Sequence, residues 1–231
     1  MRIGIIGAGQ IGGTLTRRFR ALGHEVFVAN SRSPQTLADL AKETGATAVT
    51  ATEAARSGEV VVVTIPQKNI PNLPAGLFDG VPTDVVVIDT GNYYPRHRDG
   101  RIEGIEKGLP ESRWVEQQIG RPVIKVFNNI YAQHLLELGR PAGSPGRIAL
   151  PVSGDNRAAK SVVLRLVEDL GFDGIDAGGL DESWRQQPAT PVYCTDLDAK
   201  GLPRALSEAS PERKPEWYAT AKSPGGFTAP A

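Results

Sequence analysis

This chain is poor in the side chains that most often announce chemistry. It has one cysteine, Cys194, among 231 residues. No disulfide can form within it, which fits a reducing compartment. A lone cysteine is most often a small hydrophobe, so Cys194 is given no catalytic role. There are three histidines, and no Cys/His cluster has the spacing of metal ligands. The G-x-S-x-G elbow of serine hydrolases is absent. Charge of either sign is not in excess: 26 basic and 26 acidic residues give a formal net charge of +0. No global field draws the chain to nucleic acid or to an anionic membrane, so any phosphate has to be held locally. No apolar run is long enough to cross a bilayer. The N-terminus enters a strand at once, without the pattern of a secretory leader. The expected location is the cytoplasm.

What is there is an alternation of strands and helices. Arg2 to Ile6 reads as a buried strand, followed by a glycine turn. Gln10 to Leu22 reads as a helix with Ile11, Leu15, Phe19 and Leu22 on one face. Glu25 to Ala29 is a second strand, and Pro34 to Lys42 a second helix with proline in its first turn. A short strand at Ala46 to Val49 and a short helix at Thr52 to Ser57 follow. Val60 to Ile65 and Val85 to Ile88 are continuous apolar runs, the mark of strands buried on both faces of a parallel sheet. Val123 to Phe127, Ile148 to Val152 and Phe172 to Ile175 are further strands. A helix capped by Asp155 runs to about Leu170 between the last two. Gln67 to Thr83 and Asn92 to Leu109 read as loops. The class is α/β with a mainly parallel, doubly wound sheet. Residues 1–180 form the nucleotide-binding domain and 181–231 a small C-terminal extension, of which 223–231 reads as a disordered tail.

The chemistry lies at the first turn. Gly7-Ala8-Gly9-Gln10-Ile11-Gly12 follows an apolar strand and opens an amphipathic helix. In that setting Gly7 makes the tight turn, Gly9 lets the backbone approach a pyrophosphate, and Gly12 lets the helix pack on the strand. The phosphates meet free N–H groups at the positive end of the helix. The end of the second strand selects the nucleotide. An NAD site places a carboxylate there, whereas this chain has Asn30-Ser31-Arg32-Ser33. Arg32 can pair with a 2′-phosphate and Ser31 can donate to it, so the expected cofactor is NADP(H). Ligands sit beyond the carboxyl ends of parallel strands. Thr64, Ile65 and Pro66, then Asn92, and then Asn128 and Asn129 are therefore further candidates, the last two equally readable as a satisfied turn.

From these residues a resemblance emerges. The glycine turn, Asn30-Ser31-Arg32, Thr64-Ile65-Pro66, Lys125-Val126-Phe127-Asn128, and Gly171-Phe172 through Asp176-Ala177-Gly178 follow the order found in coenzyme F420-dependent NADP oxidoreductases. The reductase domain of the six-transmembrane metalloreductases is similar. The resemblance spans roughly Met1 to Leu180. It implies a Rossmann-type domain, usually in a homodimer, that transfers hydride between NADP(H) and a flavin or the deazaflavin F420. It places Ser31 and Arg32 on the 2′-phosphate, Ile65 and Pro66 beside the cofactor, and Asn128 to Ala132 where the rings stack. Asn128-Asn129 departs from the His-Thr pair of the archaeal enzymes, and the 182–198 segment has no counterpart.

Hydride transfer between two rings depends on proximity and stacking more than on acid–base groups, and no catalytic side chain is assigned. Two rival readings stand beside it. One is an NADPH-dependent reductase of a small carbonyl or imine, which would want an added helical substrate domain. The other is a non-catalytic NADP-binding sensor. Arg96, His97, Arg98 and Arg101 crowd one loop that either meets an anionic acceptor or is simply solvated. Trp184 and Trp217 belong to the acceptor site, a core or a subunit contact.

Overall fold

A computed structural model describes residues 1–224. The tail expected at 223–231 falls almost wholly outside the described residues. In chain order the strands are β1 (Arg2–Ile6), β2 (Glu25–Ala29), β3 (Thr47–Ala48), β4 (Val60–Val63), β5 (Val86–Asp89), β6 (Ile124–Lys125), β7 (Ala149–Val152) and β8 (Asp173–Asp176). The α-helices are α1 (Gln10–Ala21), α2 (Ala38–Thr44), α3 (Ala51–Ser57), α4 (Glu103–Glu106), α5 (Glu111–Ile119), α6 (Ala132–Glu137), α7 (Arg157–Asp169) and α8 (Gly201–Glu208).

Six strands form one sheet in the order β3-β2-β1-β4-β5-β6, every pair parallel. A parallel β7–β8 pair continues it, joined to β6 by an antiparallel bridge between Lys125 and Ser153. The valine run of β4 shows why the strands are apolar throughout. Val60 and Val62 enter one core with Leu15 and Phe19 of α1 and Val163 of α7. Val61 and Val63 enter the opposite core with Ala54 of α3 and Trp114 of α5. A strand covered by helices on both faces has no polar side to show. The fold is the Rossmann-type α/β arrangement expected. Strand order reverses between β1 and β4, and a crevice opens there at the carboxyl ends.

Several local expectations are corrected. The helix expected at Pro34 to Lys42 is a 3-10 turn, Pro34–Leu37, that passes into α2. Gln67 to Thr83 is not all loop, since Gln67–Asn72 winds into a 3-10 helix. Asn92 to Leu109 contains one wide turn, Pro95–Asp99, and α4. β6 stops at Lys125 rather than Phe127, because Phe127 takes φ 63 and turns the chain away. α7 is capped by Asn156, whose side chain accepts from Ala159 N–H. Asp155 is engaged elsewhere: it accepts from Leu180 N–H at 2.8 Å and pairs with Arg113 at 2.8 Å. The amphipathic helices α5 and α8 were not anticipated at all. α8 packs Leu202, Ala205 and Leu206 against Ala149 and Val192.

Candidate functional site

The glycine turn is built by close contacts. Gly7 has φ +115, and a Cβ there would lie 2.2 Å from the Thr64 carbonyl oxygen. A Cβ on Gly12 would lie 1.8 Å from the Gly7 carbonyl oxygen. Both glycines lock α1 against β1 and β4. Gly9 differs, because its Cβ direction is open, with nothing within 4 Å. The turn therefore presents bare backbone at the positive end of a twelve-residue helix, the condition for anion binding.

Two cavities meet at this turn. One, of about 1040 Å³, is lined by Gly9, Gln10, Arg17, Arg32, Tyr131 and His134 among others. The second, of about 450 Å³, shares Gly9, Gln10, Tyr131 and Ala132 with the first. It continues past Ile11, Thr64, Ile65 and Pro66 to Asn92, Tyr94, Asn128, Tyr193 and Cys194. Together they make one path from the end of β2 across the glycine turn to the ends of β4, β5 and β6.

The residues singled out from sequence divide accordingly. Gly9, Gln10, Ile11, Thr64, Ile65, Pro66, Asn92 and Asn128 line the second cavity, and Arg32 lines the first. Gly7 and Gly12 lie beneath the path. Asn30, Ser31 and Asn129 line neither cavity. Asn30 braces its own turn, accepting from Arg32 N–H at 2.9 Å and donating to Thr36 Oγ1 at 2.9 Å. Asn129 is buried, and its carbonyl accepts from Cys194 N–H at 2.9 Å.

Asn128 reaches the cavity but is fully engaged. Its Nδ2 donates to Asn92 Oδ1 and to the Gln186 carbonyl, and its Oδ1 accepts from Gln186 Nε2 at 3.0 Å. Gln186 also accepts from Ser153 Oγ at 2.7 Å. This buried amide network ties the C-terminal extension to the strand ends and shapes the cleft wall. Gln186→Ala would leave Asn128 Oδ1 and the Ser153 hydroxyl without these partners. At about 1–3 kcal/mol per unsatisfied buried group, Tm should fall by roughly 5 °C or more in a thermal melt.

Below the cleft floor lies a charge cluster that sequence reading missed. Lys125 is fully buried and donates to the Gly91 carbonyl at 3.0 Å. It lies 3.9 Å from Asp89 and 3.7 Å from Glu111. Asp89 accepts from Gly91 N–H at 2.9 Å and Ser112 Oγ at 2.6 Å. Burial pushes the Glu111 carboxyl up to about 7, with Lys125 pulling the other way. A lysine in a two-residue strand and two acids twenty-two positions apart carry no local pattern. Only the strand order brings them together.

Tyr94 and Tyr193 were also missed as a unit. Both are half-buried, both line the cleft, and their hydroxyls hydrogen-bond to each other. Burial raises both phenols, and it also raises the nearby Cys194 thiol. Of the arginines in the basic loop, only Arg98 lines the cleft, its guanidinium 4.7 Å from the centre of the Tyr94 ring. Arg96 is turned onto the carbonyls of Pro215 and Tyr218, and Arg101 onto Glu103. His97 is exposed. His134 meets Asp196 at 2.5 Å. Trp217 packs on Tyr94 at 6.3 Å, while Trp184 lines a separate cavity.

Fold and glycine turn define the class: a Rossmann-type α/β domain whose first strand–turn–helix has the form that binds dinucleotides. More narrowly, residues 2–93 match the family described as NADP oxidoreductase coenzyme F420-dependent. The "Putative protein YjhV" of Escherichia coli (strain K12) is 46% identical over 84 residues, 35% of this chain and 61% of that protein. The chain thus spans under two thirds of that relative's length. The hypothetical protein SMa0349 of Sinorhizobium meliloti superposes with TM-score 0.71 at 28% identity, covering 85% of this chain and 95% of that one. A "putative f420 dependent nadp-reductase" of Arthrobacter sp. FB24 superposes with TM-score 0.64 at 24% identity, covering 80% and 87%. Among the described residues no helix is long and apolar enough to cross a membrane.

Proposed function

We propose that this protein reduces a flavin-like or deazaflavin acceptor with NADPH. The carrying observation is the make-up of the second cavity. It extends beyond the glycine turn to the strand ends, and its walls hold amides, hydroxyls, Ile65, Pro66 and tyrosines. Among the described residues, no lysine, histidine or carboxylate side chain lines it. Such walls suit two stacked rings exchanging hydride, which needs orientation before acid–base chemistry.

The nucleotide fits the residues present. The open side of Gly9 leaves room for a pyrophosphate on the backbone N–H groups at the start of α1. Arg32 at the mouth of the first cavity would take the 2′-phosphate. The nicotinamide supplies hydride, while Ile65, Pro66 and the Asn92–Asn128 pair would hold and orient the rings. The resemblance also brings with it a homodimer, which light scattering on the purified chain would check.

NADPH oxidation, measured with F420, FMN, FAD and ferric chelates offered in turn, tests the acceptor. Turnover of a carbonyl and imine panel alone, or of nothing, would replace this reading with one of its rivals. Nucleotide choice is tested separately. Arg32→Ala should weaken NADPH binding about 10- to 30-fold, the worth of one charge-assisted contact, and leave NADH binding nearly unchanged. Wild-type protein that binds both nucleotides equally would refute the assignment of Arg32.

A further inference from the structure

We propose that Tyr94 is the proton donor to the acceptor, reloaded through Tyr193; this rests on the reductase reading above. A two-electron acceptor that receives a hydride still needs a proton to become a neutral reduced ring. Among the described residues, no histidine, lysine or carboxylate side chain lines the second cavity to give one. The acidic hydrogens on its walls belong to threonine hydroxyls, the Arg98 guanidinium, which stays protonated, the Cys194 thiol and three phenols, those of Tyr94, Tyr131 and Tyr193. Tyr131 stands apart at the shared mouth of the two cavities, 53% exposed, with its ring edge on His134. Tyr94 and Tyr193 sit at the inner end, beside the loop that leaves β5.

Their arrangement suits a relay. The two hydroxyls are in direct hydrogen bond. When Tyr193 donates to the Tyr94 oxygen, the Tyr94 proton is free to point into the cleft. The pair comes from two distant parts of the chain, the loop after β5 and the C-terminal extension. Arg98 lies over the Tyr94 ring and Asp99 accepts from Tyr94 N–H. Cys194 is the next residue along from Tyr193, and Glu111 lies further off as a charged neighbour. Burial keeps both phenols protonated at neutral pH, so the donor is always loaded. The Arg98 charge favours the phenolate that forms for an instant.

The step balances. NADPH loses a hydride and is oxidised to NADP+. The acceptor is reduced by that hydride and gains an N–H bond from the Tyr94 proton. The Tyr94 O–H bond breaks, the oxygen recovers a proton from Tyr193, and Tyr193 recovers one from water.

Tyr94→Phe removes only the hydroxyl. It should lower kcat for the flavin-like acceptor about 100-fold, the lower range for general acid catalysis, with the NADPH Kd from fluorescence titration within twofold of wild type. The wild-type rate should be flat between about pH 6 and 9, because the donor stays protonated. The residual rate of Tyr94→Phe should fall as pH rises, since its proton then comes from solvent. Tyr193→Phe should keep the flat profile with a loss of about tenfold. A tyrosinate absorbance titration should show one late-titrating phenol fewer in each variant. Wild-type turnover with Tyr94→Phe within twofold, or a loss with an unchanged flat profile, overturns the donor role alone. No turnover by wild type with any acceptor overturns both this role and the reductase reading.

Discussion

Gly9→Ala should leave the protein folded but strip it of NADPH affinity, whereas Gly12→Ala should damage both. A methyl on Gly9 meets nothing within 4 Å, and Gly9 has φ -76, which any residue adopts. Its melting temperature should stay close to wild type. That methyl would nevertheless project where the pyrophosphate has to approach the backbone. Losing one or two charge-assisted N–H contacts of about 1.5–3 kcal/mol each should raise the NADPH Kd about 100-fold. A methyl on Gly12 would sit 1.8 Å from the Gly7 carbonyl oxygen and 2.8 Å from Thr64 Cγ2. Neither can yield without moving α1 off the sheet. Overpacking of this kind costs about 1–3 kcal/mol, a fall in Tm of roughly 5 °C. The displaced helix end should lose about 1000-fold in NADPH affinity, from the same contacts. Calorimetry with and without NADPH separates the two effects. A Gly9→Ala variant that binds as wild type would refute the place given to the pyrophosphate.

The contrast between these two glycines marks what the sequence could reveal. Strand–turn–helix signals are local, so the turn, α1, β1, β2 and the apolar β4 and β5 were readable from the order of residues alone. So was the absence of a carboxylate at Asn30-Ser31-Arg32. Legibility ended where a residue's role depends on a distant partner. Asp155 was read as a helix cap because the signal for capping is local, but Arg113 and Leu180 claim it from far along the chain. Asn128 was read from its place at a strand end as either a ring contact or a satisfied turn, with no sign of what holds it. Its amide is held by Gln186, fifty-eight residues away. Tyr94 and Tyr193, ninety-nine residues apart, gave no periodic or spacing signal that could pair them. The C-terminal extension lacks strong periodicity outside α8, because it is held by such single long-range bonds rather than by a continuous apolar stripe.

The second large effect concerns the floor of the cleft. Lys125→Met should destabilise the fold by about 3–5 kcal/mol at neutral pH, the cost of leaving buried charge without its partner. Tm should fall by roughly 10 °C. Lys125 is the cation between Asp89 and Glu111, and its ammonium also satisfies the Gly91 carbonyl. Methionine fills the space but leaves two carboxyls facing one another across an apolar gap. The pH dependence has a definite sign. Burial raises the Glu111 carboxyl from 4.5 to about 7. Between those values the folded protein holds a proton that the unfolded chain has released. Stability must therefore fall as pH rises through that window, by on the order of 1–3 kcal/mol. Removing Lys125 removes the charge that restrains this shift, so the slope should steepen and the variant should be most nearly normal near about pH 5. Glu111→Gln should flatten the slope in the wild-type background and recover part of the loss in Lys125→Met. Partners in one buried network do not lose stability additively. Urea titrations across the window, for the two single variants and the double, measure all of this. A Lys125→Met variant with wild-type stability, or one whose stability rises with pH across the window, would show that Lys125 does not carry the cluster.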